Sequence, residues 1–461
     1  MCARQPINTG SSRAIFLVHS QPFPTHAMTT PSTPAVNALD ILRDRGFLYQ
    51  NTNEEGMRQR LSGGPATFYV GFDPTGNSLH VGHLLPVMAM RWLQHCGHQP
   101  IALVGGGTAM IGDPSGKTEA RPIMSVDIID DNARAIQGQL GRFLDFAPGK
   151  ATMVNNADWL RDLRLIDFLR DIGSLFSVPR MLSAESVRMR LETGISFLEF
   201  SYPLLQSFDF YYLCKERQCQ FQFGGQDQWG NIVAGVDLTR RLLSEEVFGA
   251  TFPLLLKSDG TKFGKTAGGA VWLDAERTAP FDYYQFWRNV DDADVTRLLS
   301  FFTSLPMSEV RRLGSLEAPQ INRSKEILAY EATALAHGHD EAIRAFLAAG
   351  QEFGFADPDG AIETSSRITD LPAGGLDSDI PTLSITAAEL GDGIGVLTLL
   401  VKAGLCASNG EARRLIKGGG CYLGDARITD EKMIITAADF ADGALTLRAG
   451  KKARKRVLLA S

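Results

Sequence analysis

His80 and His83, separated only by Val81 and Gly82, are the side chains best placed by type and spacing to do chemistry. Two imidazoles side by side can donate hydrogen bonds to a phosphate as negative charge develops on it. Ahead of them, the apolar run Thr67 to Val70 predicts a short buried strand, and Gly71 to Ser78 is a Gly/Pro/Asn loop. Behind them, Leu84, Leu85, Val87 and Met88 begin an apolar helical run. Strand, loop and helix start bring free backbone N–H groups and the positive dipole end to one point, a geometry that collects phosphate. Gly82 leaves room for a flat base against the backbone. The competing readings are two surface histidines, or a metal site drawing on His95 and His98. Neither pair has the further ligands that a closed tetrahedral zinc site needs, so no protein-held metal is expected.

Far downstream lies a Gly-rich loop with the core Lys262-Phe-Gly-Lys265-Thr266. Lysines on such a loop can close over a pyrophosphate leaving group and neutralise charge that grows only in the transition state. Alone, the same residues describe a solvated turn. Tyr202, Gln206 and Asp209 stand at i, i+4 and i+7, on one face of a predicted helix. That polar stripe sits among Leu204, Leu205, Phe208 and Phe210, so it is either solvated or binds something. Gly112-Asp-Pro-Ser-Gly116-Lys117-Thr118 is not a phosphate-binding P-loop. Ile111 stands where that motif needs glycine, and Asp113 would put a carboxylate among phosphates.

Three motifs in this order resemble one family. His80-Val-Gly-His83 resembles the His-Ile-Gly-His signature of class I aminoacyl-tRNA synthetases. The 262–266 loop resembles the Lys-Phe-Gly-Lys-Ser/Thr form of the Lys-Met-Ser-Lys-Ser loop in tyrosyl-tRNA synthetases. Gly224-Gly-Gln-Asp-Gln-Trp-Gly-Asn231 is similar to the family's Gly-Gly-Ser-Asp-Gln-Trp-Gly-Asn, with Gln226 in place of serine. From about residue 36 to its end the chain resembles bacterial-type tyrosyl-tRNA synthetases. The resemblance implies ATP-dependent activation of L-tyrosine to tyrosyl-adenylate, then transfer to the 3′ end of tRNA(Tyr). It implies catalytic roles for His80, His83, Lys262 and Lys265. It places Tyr69 and Asp209 on the tyrosine phenol, Asp113, Tyr202 and Gln206 on the ammonium, and Gln228 near the junction of carboxylate and α-phosphate. ATP contacts beyond the catalytic four fall on Asp73, Thr75, Lys117, Arg121, Gly225, Asp227 at the ribose, and Thr266. Mg²⁺ is expected with the ATP rather than in a protein cage, and a homodimer is expected. A tryptophanyl enzyme would share the two nucleotide motifs, but Tyr69 with Asp209 and the C-terminal part argue against it. A non-catalytic regulator built on the same fold is opposed by the intact histidines and lysines.

The elements that must position these residues alternate. Strands are predicted at 67–70, 101–104 and 219–223, the last ending in Gly224-Gly225, with helical stretches between them. This pattern predicts a Rossmann-like parallel α/β sheet with sites at the C-terminal ends of its strands. Residues 36–60 are expected as an opening helix, and 125–215 as a mainly helical insertion in a catalytic domain spanning 36–250. Pro86 should end or kink the helix after His83. Residues 251–350 are expected to hold the lysine loop and a helical anticodon-side domain, and 351–385 a Gly-, Asp- and Pro-rich linker. Residues 386–461 are expected as a small α+β RNA-binding domain, with Ser408 capping a helix that carries Arg413, Arg414 and Lys417. By resemblance these three residues contact tRNA, and the run from Lys451 to Arg456 reinforces the phosphate-contact reading.

Composition agrees. The 461 residues suffice for two to four domains, and 44% hydrophobic with 21% charged residues is ordinary globular usage. No apolar stretch approaches a membrane span, and the six cysteines form no dense framework, so a cytoplasmic setting is expected. Net charge is −6, but residues 390–461 carry +5 and the rest −11. A basic module on an acidic body points to a polyanionic partner. Residues 1–35, rich in Pro, Ser and Thr, are expected to be a disordered extension, and Met28 offers a second start.

Overall fold

The computed structural model describes residues 37–115, 124–191, 194–266, 269–370, 382–424, 426–440, 444–450 and 453–460. The N-terminal extension, Lys117, Arg121 and Lys451 lie outside these residues.

The chain opens with α1 (Ala38–Asp44) and α2 (Glu54–Ser62), separated by strand β1 (Gln50–Asn51). The single opening helix expected over 36–60 is therefore two. Asn37 and Asn53 each cap a helix start with a side-chain oxygen, so two capped starts fall where one was expected. The sheet proper comprises β2 (Thr67–Phe72), β3 (Gln99–Val104), β4 (Thr152–Asn155), β5 (Cys219–Gly225) and β6 (Phe248–Phe252). Its order is β1-β6-β5-β2-β3-β4. β2 to β6 run parallel and β1 is an antiparallel edge. The stretch expected to be mainly helical thus contributes β4, a strand too short to show a period. Helices α3 (Val81–His95) and α4 (Val126–Leu140) precede β4. After it come α5 (Ala157–Leu160), α6 (Leu165–Asp171), α7 (Val178–Ser183), α8 (Glu185–Leu191) and α9 (Phe197–Arg217), and α10 (Trp229–Leu243) joins β5 to β6.

Both faces of the sheet are buried, as a parallel sheet requires. Alternation along β2 sends Phe68 and Val70 into the core shared with α3, and Tyr69 into a second cluster with Ile101, Phe210 and Leu213. The residues around Tyr69 therefore come from α9. Connections run from β2 through β3 to β4 on one side and through β5 to β6 on the other. The strand order reverses between β2 and β5, where open α/β sheets bind ligands.

After β6, a short hairpin of β7 (Lys265–Thr266) and β8 (Gly269–Ala270) leads to five helices. These are α11 (Pro280–Arg288), α12 (Val295–Phe302), α13 (Met307–Gly314), α14 (Ile321–His337) and α15 (His339–Phe353). One apolar core runs without a break from Ala38 to Ile368, so packing does not divide at residue 250. The expected linker also begins later than 351. Residues 354–370 bind the helices: Phe355 meets Phe346 with ring centroids 5.1 Å apart, Ala356 N–H donates to Glu326 at 2.9 Å, and Ser366 Oγ donates to Glu331 at 2.6 Å. Ile368 is buried beneath them. Side-chain carboxylates on the helices hold this strap by local hydrogen bonds, which a hydropathy pattern does not register. Only 371–381 remain between it and the next element, and they lie outside the described residues.

The C-terminal part has its own core. It combines β9 (Thr382–Thr386), α16 (Ala387–Leu390), β10 (Ile394–Gly395), α17 (Val396–Lys402), α18 (Asn409–Lys417), β11 (Cys421–Leu423), β12 (Ala426–Arg427), β13 (Ile434–Ile435), β14 (Ala444–Ala449) and β15 (Ala453–Ala460). The five-stranded sheet has the order β12-β11-β14-β15-β9, so the fold begins at Thr382 rather than 386.

Candidate active site

The two imidazoles are built into the start of α3. His80 is its N-cap, and Nδ1 of His80 accepts the Gly82 N–H at 3.0 Å. Nδ1 of His83 accepts the His80 N–H at 3.1 Å, and the rings stack with centroids 3.9 Å apart. An Nδ1 that accepts a backbone N–H carries no proton, so on each ring the proton sits on Nε2. Capping thus fixes the tautomer and presents two Nε2–H donors at a helix N-terminus. A Cβ on Gly82 would come within 2.8 Å of the His80 ring, so the glycine is what lets that ring cap. The helix runs through Pro86 instead of ending there. Pro86 lies one turn in, where its missing N–H leaves only the Gly82 carbonyl without its helical donor.

The loop before His80 is held from α4, whose Asn132 donates to the Pro74 carbonyl at 3.0 Å and whose Gln139 accepts the Leu79 N–H at 2.8 Å. Asp73 is half-buried on this loop and Thr75 is exposed. The lysine loop meets the histidine motif directly. Val81 N–H donates to Val271 O and Leu273 N–H donates to Leu79 O, each at 2.9 Å. Gly264, with φ +84°, rests on Val81 and on the Gly82 backbone; a Cβ there would sit 3.3 Å from Val81. Lys262 is exposed beside this contact, and the backbone of Lys265 and Thr266 forms β7. Residues remote in sequence are thereby joined at the N-terminus of α3.

On the α9 face of the sheet lies a cluster of buried and half-buried polar side chains. Tyr202, Gln206 and Asp209 share one face of α9 as their spacing predicts, but that face is buried: Asp209 is 2% exposed and Tyr202 4%. Asp209 accepts the indole N–H of Trp159 at 2.8 Å and an amide N–H of Asn156 at 2.9 Å. Burial pushes its carboxyl up to about 7, against the pull of these two donors, and nearby Asp73 raises it further. The Tyr69 hydroxyl is buried with no hydrogen-bond partner among the described residues. Burial, and then the charge of Asp209, drive its pKa well above the ordinary tyrosine value. Burial does the same for Tyr202, followed by Asp73, Asp113 and Asp209, while a hydrogen bond with Thr108 works the other way. Three carboxylates thus make the potential at Tyr202 negative, which favours a cation there.

A hydrogen-bonded net ties this cluster together. Gln228 Nε2 donates to Asp113 at 2.7 Å, and Asn231 Nδ2 donates to Gln206 Oε1 at 3.0 Å and to Gln228 Oε1 at 3.2 Å. Asn156 donates to Thr108 Oγ1 at 3.0 Å while its Oδ1 accepts the Gly107 N–H at 2.7 Å. Asp227 is exposed at the end of β5, and a Cβ on Gly225 would lie 2.5 Å from its Oδ1. Thr108, Asn156, Trp159 and Asn231 are absent from the sequence-derived site. The Asn155-Asn156 pair after Met153-Val154 could have flagged Asn156, and Asn231 ends the 224–231 motif already singled out.

In the C-terminal part, Ser408 caps α18 as expected, while Glu411 returns to the Ala407 N–H at 2.7 Å, one residue before the cap. Arg413 and Lys417 both reach Glu431, at 3.3 and 3.5 Å, and Arg414 is exposed. Arg448 lies 3.9 Å over the ring of Tyr422, its partner on the adjacent strand of the same sheet.

Residues 61–354 match the family model of class I tRNA synthetases for tryptophan and tyrosine, and residues 373–456 match that of the tyrosine–tRNA ligase C-terminal domain. A tyrosine–tRNA ligase from Desulfosudis oleivorans is 51% identical over 422 residues, covering 90% of this chain and 98% of the relative. One from Clostridium tetani is 47% identical over 423 residues, covering 92% and 99%. Among solved structures, the C-terminally truncated mitochondrial tyrosyl-tRNA synthetase of Aspergillus nidulans superposes with a TM-score of 0.61 at 30% identity, covering 68% of this chain and 93% of that one.

Proposed function

The chain belongs to the class I tyrosine–tRNA ligases, and on that premise we propose which of its residues carry out each part of the reaction. The enzyme joins tyrosine to its tRNA using ATP. In the first step the tyrosine carboxylate attacks the α-phosphate, the bond to pyrophosphate breaks, and tyrosyl-adenylate forms. In the second the 3′-terminal hydroxyl of the tRNA attacks the tyrosyl carbonyl and AMP leaves.

Tyr69 and Asp209 take the phenol. The observation that carries this reading is the buried Tyr69 hydroxyl, without a hydrogen-bond partner among the described residues and within reach of the charge of buried Asp209. A substrate hydroxyl satisfies both groups, and phenylalanine leaves both unpaired. Asp113, Tyr202 and Gln206 take the ammonium, supported by the negative potential of the three carboxylates, and Gln228 stands beside them at the reacting carboxylate. His80 and His83 direct Nε2–H toward the phosphates at the start of α3, where charge grows as pyrophosphate departs. Lys262 and Lys265 neutralise the leaving group, and Thr266 stands with them. Asp73, Thr75, Gly225 and Asp227 line the nucleotide side, with Asp227 on the ribose; Lys117 and Arg121 join them on the phosphates. Rate comes from positioning and fixed charge, without a covalent enzyme intermediate. Mg²⁺ enters as part of the ATP substrate. Its ligands there are phosphate oxygens and water.

Residues 382–460 serve as the tRNA-gripping module, through Arg413, Arg414 and Lys417. The enzyme works as a homodimer. This is supported by nine of the sixteen exposed large apolar side chains among the described residues falling between Leu165 and Leu198, with Phe197 77% exposed. No helix among the described residues is long and apolar enough to cross a membrane, and a cytoplasmic location fits the dispersed cysteines. ATP–pyrophosphate exchange tests the assignment. The full chain should exchange with tyrosine but not with tryptophan, and Asp209→Asn and His80→Ala should each depress exchange. Wild-type rates in both variants would remove these residues from the site.

A further inference from the structure

The stem of the lysine loop is gripped by one buried carboxylate that belongs to none of the motifs above. Asp294 is 3% exposed and stands at the N-cap of α12. An aspartate there ordinarily caps its own helix, yet this side chain makes no capping hydrogen bond. It turns to the loop instead. Oδ2 accepts the Ser258 N–H at 3.1 Å, and Oδ1 accepts Nη2 of Arg297 at 2.8 Å. The same Nη2 donates to the Leu256 carbonyl. One ion pair thus holds two backbone groups on the strand-side stem of the loop. The Lys257 N–H donates to Thr261 O at 2.7 Å, and Phe263 N–H donates to Leu255 O at 2.9 Å, so the stem is a closed turn. Its far side rests on Val81 through Gly264. The loop carrying Lys262 and Lys265 is therefore fixed at one end to the histidine motif and at the other to α12.

We infer that Asp294 is a positioning residue for tyrosine activation: through Ser258 and Arg297 it sets where the two lysines stand relative to the departing pyrophosphate. This rests on the assignment of those lysines to the activation step. A buried ion pair is weak evidence of net stabilisation, whereas small displacements of a charge meant for the transition state are costly in rate.

The test is single-turnover formation of tyrosyl-adenylate by the full chain carrying Asp294→Ala or Asp294→Asn, each alone and combined with Lys265→Ala. Equilibrium tyrosine binding is measured on the same proteins. Asp294→Ala should slow activation by about tenfold to a hundredfold. Asp294→Asn, which keeps an acceptor for Ser258 but loses the charge facing Arg297, should slow it less. Tyrosine affinity should stay within about twofold of wild type in both. In the Lys265→Ala background Asp294→Ala should cost clearly less than it does alone, because part of its effect runs through Lys265. A full additional loss in that background, or a loss confined to tyrosine affinity, would overturn the role of Asp294 and leave the lysine assignment standing. Wild-type activation by Lys265→Ala alone would overturn both. If Asp294→Ala does not fold, wild-type activation by Asp294→Asn would refute the inference.

Discussion

Tyrosine binding should strengthen as pH rises through neutrality, and Asp209 should be the cause. In the unliganded protein burial pushes this carboxyl up to about 7. A substrate phenol that donates its hydrogen to Asp209 needs the ionised form. The apparent dissociation constant is then the intrinsic one divided by the ionised fraction. With a pKa of about 7 that fraction is roughly 0.09 at pH 6 and roughly 0.91 at pH 8. Affinity should therefore improve about tenfold over this range, equivalent to about 1.4 kcal/mol. Trp159 donates to the same carboxylate, so its fluorescence offers a local readout. Calorimetry in two buffers of different ionisation enthalpy would count the proton released on binding near pH 7. Asp209→Asn should bind more weakly and lose the pH dependence. The unliganded protein should show the opposite slope in stability. A carboxyl whose folded pKa lies above its ordinary 3.8 binds protons more tightly folded than unfolded. Stability should accordingly fall as pH climbs from about 4 to about 7 and then level off, and Asp209→Asn should lack this component. Flat tyrosine affinity between pH 6 and 8, with no proton released, would refute the reasoning.

Tyr69→Phe should narrow the preference for tyrosine over phenylalanine by about tenfold; it should also raise the melting temperature of the unliganded protein, because it removes a buried hydroxyl that has no partner among the described residues. An unchanged ratio of specificity constants would exclude Tyr69 from the pocket. Truncation after residue 370 should leave tyrosine activation intact and severely weaken tRNA charging, whereas truncation after 350 should also destabilise the body, since it strips Phe355 and Ile368 from the helices. Equal stability of the two truncated proteins would contradict the strap described here. Phe197→Asp should shift the enzyme from dimer to monomer in sedimentation, because a charge there cannot be matched across a two-fold apolar contact; an unaltered dimer would place the interface elsewhere.

The placement of candidate residues was legible in the sequence where a motif carries its own local geometry. His80-Val-Gly-His83 announced a helix start because capping, glycine and the following apolar run all lie within one turn. The 262–266 loop was legible for the same reason, and so was the Tyr202–Gln206–Asp209 face, whose i, i+4, i+7 spacing survives in α9. What escaped was positioned by contacts between distant segments. Asn156 and Trp159 reach Asp209 from far away in the chain, Asn156 between a four-residue strand and a four-residue helix and Trp159 within that helix, elements too short to display a period. The strap at 354–370 was mistaken for a linker because it is polar and Gly-bearing. It is held by Glu309, Glu326 and Glu331 side chains that nothing in its own sequence names. Asp294 was overlooked among three neighbouring aspartates, and only the fold shows which of them turns to the loop.

The most direct test is a crystal structure of the full chain with a non-hydrolysable tyrosyl-adenylate analogue. The phenol oxygen should lie within hydrogen-bond distance of both the Tyr69 hydroxyl and the Asp209 carboxylate, and the phosphate replacement should lie at the start of α3, facing Nε2 of His80 and His83. A phenol seated away from Asp209, or imidazoles turned so that Nδ1 faces the nucleotide, would contradict the account.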